Sequence, residues 1–187
     1  MKRLAVSLIV VLFASAASAL DERAALEKGR TAARVLNDTL RSKLMESLKS
    51  GGPEGAMSVC SYQARALTAE VRDNQGVEVK RTSRKLRNPE NAPDPYEREL
   101  LERLEAKAAQ GGLPEEVFER RREGGRTVYR FAKPLVVAPP CLACHGTGEE
   151  IPASVRRRIE ERYPEDRATG YRAGDFRGVV SVVIPAD

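Results

Sequence analysis

The sequence predicts an α+β domain, with long N-terminal helices followed by an antiparallel sheet that carries helical insertions. Three observations point that way. Apolar residues recur at three- and four-residue steps early in the chain, two alternating runs flank a diglycine further on, and a Val-rich run closes the sequence.

The first helix is read from Asp21 to Lys49, where Ala24, Leu26, Ala32, Val35, Leu36, Leu40, Leu44 and Leu48 share one face. Ser50-Gly51-Gly52-Pro53 stops it. A second helix, about Glu54 to Asp73, carries Met57, Val59, Cys60, Ala64, Leu67 and Val71, and ends over Asn74 to Gly76. Val77 to Ser83 then alternates as a half-buried strand. The segment Asn88 to Pro95 is dense in turn formers, and Asp94-Pro95 with Glu97 is a capping-box start. A helix follows from about Pro95 to Ala109 and ends at Gly111-Gly112. Val117 to Arg122 and Thr127 to Val137, separated by Glu123-Gly124-Gly125, make a hairpin. A loop or short helical turn comes next, then a helix over Ile151 to Tyr163 and a closing strand over Arg177 to Ile184.

The N-terminus has its own pattern. Met1-Lys2-Arg3, an apolar run from Leu4 to Phe13 and Ala17-Ser18-Ala19 make up a secretory signal peptide over residues 1–19, with cleavage after Ala19. The apolar part is short for a membrane span, which argues against a retained anchor. Cleavage removes two basic residues, so the formal charge of +5 falls by two. The 32 basic and 27 acidic residues are interleaved, as in RRRIEERYPEDR, which reads as a solvated surface and not a nucleic-acid patch. With 41% hydrophobic residues and no change of composition along the chain, residues 20–187 suit a single domain. Aromatic content is 5% with no Trp, so the core must draw on Leu, Val and Ala, and on any large apolar cofactor.

Such a cofactor is indicated by Cys141-Leu142-Ala143-Cys144-His145, a Cys-x-x-Cys-His pattern of the kind that marks covalent attachment of a c-type haem. Two thiols at this spacing reach the two vinyl groups on one porphyrin edge, and the adjacent imidazole turns to hold the iron. Cys141 and Cys144 are the expected thioether anchors of one haem, and His145 the proximal ligand. A zinc site is disfavoured because Cys144 and His145 are neighbours that point different ways. A redox dithiol would sit between a strand and a helix, whereas Pro139-Pro140 precedes this motif and Gly146-Thr147-Gly148 follows it. Haem attachment of this kind takes place outside the cytoplasm, which agrees with the leader.

His145 is the only histidine, so bis-histidine ligation is excluded. The opposite face of the iron is then left to Met, Cys, Lys, Tyr, water or nothing, and beyond the leader the sulfur donors are Met45, Met57 and Cys60. A free thiol in an oxidising compartment is a liability unless something occupies it, which favours Cys60; free cysteines are also often plain buried residues. Met57 stands three residues earlier on the same helical face. An anionic sulfur favours ferric iron and a low potential, whereas a Met ligand raises it.

The stretches AMSVCSYQA, RTSRKLRNPENAPDPYE, YRFAKPLVVAPPCLACHG and GYRAGDFRGVVSVVIP together resemble an exported c-type haem domain family, over nearly all the mature chain. The resemblance implies a PAS-like scaffold for the predicted sheet, and axial ligation by the motif histidine and a cysteine from the N-terminal helices, here His145 and Cys60. Similar domains serve as sensing parts of bacterial signalling proteins. Among Arg81, Arg84, Lys85 and Arg87, one or two are expected to pair with haem propionates, unless all four form a solvated basic edge. Tyr129 and Lys133 alternate towards the motif as possible pocket residues, and Asp175 reads as a turn former.

The expectation is a soluble periplasmic monohaem c-type cytochrome that exchanges single electrons with a separate redox protein, touching neither nucleic acid nor, after cleavage, membrane. A haem-based redox or gas sensor working through a partner is the alternative. Peroxidase chemistry is disfavoured, since the one histidine is already committed.

Overall fold

The computed structural model describes the backbone of residues 5–186 and the side chains of 22–60 and 62–186. The side chains of the predicted leader, 1–19, lie outside the described residues. Among the described residues no helix is long and apolar enough to cross a membrane.

The expected α+β architecture is present. Helix α1 (Ala5–Ser58) contains the predicted break, since Gly52 takes the left-handed φ of 61° and the helix resumes at Pro53. It passes through a single π-helical turn, Val59–Gln63, into α2 (Ala64–Gln75), which is closed by left-handed Gly76. Strand β1 (Glu78–Thr82) leads through a 3₁₀ turn at Pro89–Asn91 to α3 (Pro95–Ala109). The predicted capping box is made in full, with Asp94 accepting from the Glu97 N–H and Glu97 accepting from the Asp94 N–H, both at 2.8 Å. The hairpin β2 (Val117–Glu123) and β3 (Arg126–Val136) follows, then the one-turn α4 (Leu142–His145), α5 (Ala153–Arg162) and β4 (Phe176–Pro185).

The four strands form one antiparallel sheet in the order β1-β4-β3-β2. Strand β4 lies inside it, and helices cover both of its faces, which is why VVSVVI is apolar almost without alternation. On one face α1 lays Ala25, Ala32, Ala33, Leu36 and Leu40 against Tyr129, Phe131, Val180, Val182 and Ile184. On the other, Tyr96, Leu100, Leu101 and Leu104 of α3 cover Ala132 and Val179. A third, smaller cluster joins Met57 near the end of α1 to Ile151 and to Val155 and Ile159 of α5, with Cys144 against it.

Two corrections concern the sheet. Tyr129 belongs to the α1-facing core, where its ring stacks on Phe118 at 5.5 Å between centroids, and Lys133 is exposed. The alternation in this strand therefore reports the core and not a cofactor pocket.

Small residues on α1 bring it close to β3. A Cβ on Gly29 would stand 2.7 Å from the Phe131 Cβ, so helix and strand touch almost backbone to side chain there. Substituting Gly29 by Ala is expected to lower unfolding stability by about 1–3 kcal/mol through overpacking. Urea denaturation checks it; an unchanged midpoint would mean that α1 can lift off the sheet at little cost.

Candidate functional site

The CLACH motif starts where β3 has ended. Ala138-Pro139-Pro140 turns the chain, and the 3₁₀ turn Pro139–Cys141 runs directly into α4. Prolines here have no N–H to leave unsatisfied and fix the entry of the short helix. Gly146 follows, and a Cβ at that position would meet the Leu142 carbonyl and the Glu150 carboxylate at 2.7 Å, so the turn closes tightly. Glu150 accepts from the Thr147 N–H at 2.8 Å and from its hydroxyl at 2.9 Å, which fixes the exit and lowers the pKa of that carboxyl.

The segment between α5 and β4 lies along this turn. Tyr171 N–H donates to the His145 carbonyl at 3.0 Å and Gly170 N–H to the Gly146 carbonyl at 2.7 Å. The His145 ring meets the buried Tyr171 ring edge-on, 6.4 Å between centroids. Its Nδ1 is 2.7 Å from the Ala168 carbonyl oxygen. A carbonyl can only accept, so Nδ1 carries the proton. Burial, and after it the charges of Arg87 and Arg177, push the imidazole pKa down to about 3. The ring is therefore neutral at ordinary pH with its proton on Nδ1, and Nε2 keeps its lone pair, the form in which imidazole binds a metal.

An ion pair holds both partners of that bond. Arg87 faces Asp166 through Nε at 3.2 Å and Nη2 at 3.1 Å, with both side chains over nine-tenths buried. The same Nη2 donates to the Cys144 carbonyl at 2.6 Å and the Ala168 carbonyl at 3.4 Å, while Asp166 accepts from the Ala168 N–H at 2.9 Å. One guanidinium thus ties the motif turn to the strand of backbone that orients His145.

Cys60, Cys141 and Cys144 are all free and half-buried. Burial pushes the Cys144 thiol up to about 11, and Cys60 and Cys141 are both near enough to add to the shift. Cys60 falls in the π-helical turn, an irregularity that re-aims side chains and recurs at functional sites. Met57, the other sulfur considered for the iron, is 3% exposed and packed among Ile151, Val155 and Ile159. Among the described residues no group of three or more His, Cys, Asp and Glu side chains is arranged to hold a metal ion. One imidazole nitrogen, two thiols on the same turn and a third sulfur nearby are a donor set that fits a haem of the c type.

The basic edge divides. Arg84 pairs with Glu105 at 2.7 Å and Arg87 with Asp166, so the expectation that propionates take a partner from this group is narrowed to Arg81 and Lys85. Asp175 shapes the turn before β4, accepting from the Arg172 N–H at 2.7 Å. The sequence does not single out Asp166, Ala168, Tyr171 or Arg177 as site residues, and nothing local pairs Asp166 with Arg87, 79 residues away.

The family model described as Tll0287-like (Tll0287) matches residues 18–185. The crystal structure of the cyanobacterial haem protein Tll0287 is similar at 30% sequence identity with a TM-score of 0.65, over 86% of this chain and 94% of that one. No curated protein matches the chain.

Replacing Asp166 by Ala leaves the Arg87 guanidinium buried without its counter-charge and is expected to cost about 3–5 kcal/mol of stability in a denaturant titration. Glu150→Ala, which touches only an exposed turn, is expected to leave the denaturation midpoint nearly unchanged. Equal losses would remove the special standing of the buried pair.

Proposed function

This chain belongs to the Tll0287-like family, and from that premise we propose that it is an exported monohaem c-type cytochrome that carries single electrons. The observation that carries the reading is the His145 bond to Ala168, which leaves Nε2 free for a metal beside the two thiols of the same turn. The similar crystal structure is that of a haem protein, which supports haem as the group held. When bound, the haem supplies a one-electron ferric/ferrous couple.

In this reading Cys141 and Cys144 would anchor the haem through thioethers, and His145, through Nε2, and Cys60 would hold the iron. Burial of Met57 among the α5 side chains supports Cys60, since the methionine sulfur already serves the core. A cysteine sulfur stabilises the ferric state and sets a low potential. Two protein ligands would close the iron to substrate, and the single histidine leaves none over for acid–base work, which supports a carrier over a peroxidase. The antiparallel sheet under helical cover goes with the PAS-like scaffold that the resemblance implies. Export rests on the leader over 1–19; the family match starts at residue 18, close to the expected cleavage site after Ala19, which supports a boundary there. The electron donor or acceptor is a separate redox protein.

Protein made in cells competent for cytochrome maturation is expected to keep its haem through acid–acetone extraction and to give a haemochrome spectrum in alkaline pyridine; colourless protein would end the proposal. In the same preparation, Cys60→Ala is expected to raise the midpoint potential and to change the ferric spectrum. An unchanged spectrum would return the sixth position to Met57 or to water. Slow or absent carbon monoxide binding by the reduced wild type is the expected behaviour of a carrier, and rapid binding would favour the sensor alternative.

A further inference from the structure

Beside His145 lies a group of cations whose charge the fold does not neutralise. Arg177, at the start of β4, donates from Nη1 to the Lys85 carbonyl at 3.2 Å, and its guanidinium stands 5.3 Å from the centre of the Tyr171 ring. Lys85 approaches the same ring at 4.8 Å, with Nζ 3.4 Å from the Thr169 carbonyl. Arg81 is close enough for its charge to be felt at both His145 and Arg177. Among the described residues none of these three cations has a carboxylate within salt-bridge distance, whereas Arg84 and Arg87, from the same stretch of chain, each have one.

Half-buried guanidinium groups that repel one another are costly unless an anion joins them. Burial, together with the charges of Arg87 and Arg81, lowers the Arg177 pKa, although nearby Tyr171 and Asp166 oppose the shift. The Lys85 carbonyl takes one donor of Arg177 and the tyrosine face takes its plane, an arrangement that fixes a guanidinium while leaving donors free for a planar anion. Tyr171 is also the ring that meets His145 edge-on, so the cluster stands next to the imidazole proposed to hold the iron.

We propose that Arg177, assisted by Arg81, binds a haem propionate and thereby positions the cofactor and raises its potential. This rests on the haem reading above and goes beyond it, because the sequence placed the propionate partners on the 81–87 stretch alone. Fixed cations near the iron favour the ferrous state, which carries one positive charge fewer. They would partly offset the opposite pull of the cysteine ligand.

The test uses haem-loaded protein. Arg177→Gln is expected to shift the ferric/ferrous ratio at fixed potential about tenfold towards ferric, which is about 59 mV downward for a one-electron couple. It should also move the propionate bending bands in the resonance Raman spectrum, while the absorption spectrum keeps the wild-type ligand signature. Arg177→Lys should restore most of the shift, and Arg84→Gln, which removes a guanidinium already paired with Glu105, should leave the potential unchanged. If Arg177→Gln yields no folded protein, Arg81→Gln carries the test, with a smaller shift of the same sign.

Pigmented Arg177→Gln protein with wild-type potential and wild-type propionate bands would overturn the assignment while leaving the haem reading intact. If only its rate of oxidation by ferricyanide at low salt were to fall, the cluster would serve an external anion instead, and the proposal would fail in that way. Wild-type protein without haem would remove both.

Discussion

One buried ion pair determines what the candidate site can do. The Arg87 guanidinium, on the loop after β1, meets Asp166 on the loop after α5, and through its remaining donor capacity it also takes the carbonyls of Cys144 and Ala168. Arginine suits this task because its donors are fixed in a plane and its charge cannot be lost. Three distant parts of the chain are thereby locked together: the motif turn, the backbone that orients the imidazole, and the strand end from which Arg87 comes. The result at His145 is one tautomer and one ring orientation, which a free imidazole does not have.

The sheet supplies the rigid frame for that lock. Strand β4 is covered on one face by α1 and on the other by α3, and both its ends lead into site or edge segments. Gly178, just inside β4, runs so close to β1 that a Cβ would collide with the Thr82 carbonyl, which sets Arg177 beside the Ser83–Lys85 backbone. At the far side α5 is packed onto the end of α1 through Met57, with Cys144 of the motif turn against the same cluster and Cys60 in the π-helical turn that follows. Core packing, rather than loop chemistry alone, therefore ties the motif turn to the end of α1.

How much of this could be read from the residues depended on whether the cause was local. The capping box at Asp94 and Glu97 involves neighbours in sequence, and α3 starts and ends where the sequence places it. The diglycine hairpin and the break at Gly52 are likewise decided by one or two residues with unusual backbone freedom. The π-helical turn at Val59–Gln63 left no such mark, because apolar spacing cannot tell an inserted residue from a continuous helix. Arg87 and Asp166 look like ordinary surface charges in a chain that is 32% charged, and only the fold shows that they are buried together. Tyr129 shows the converse: its alternation was real, but it pointed into the core.

In the proposed holoprotein His145 would bind iron through Nε2, with a cysteine sulfur as the second protein ligand. Electron paramagnetic resonance of the ferric holoprotein at low temperature reads that ligand pair directly. A single low-spin species with the narrow g-spread of imidazole–thiolate ligation is the predicted result, whereas a high-spin signal, or the wide spread of imidazole–thioether ligation, would contradict it.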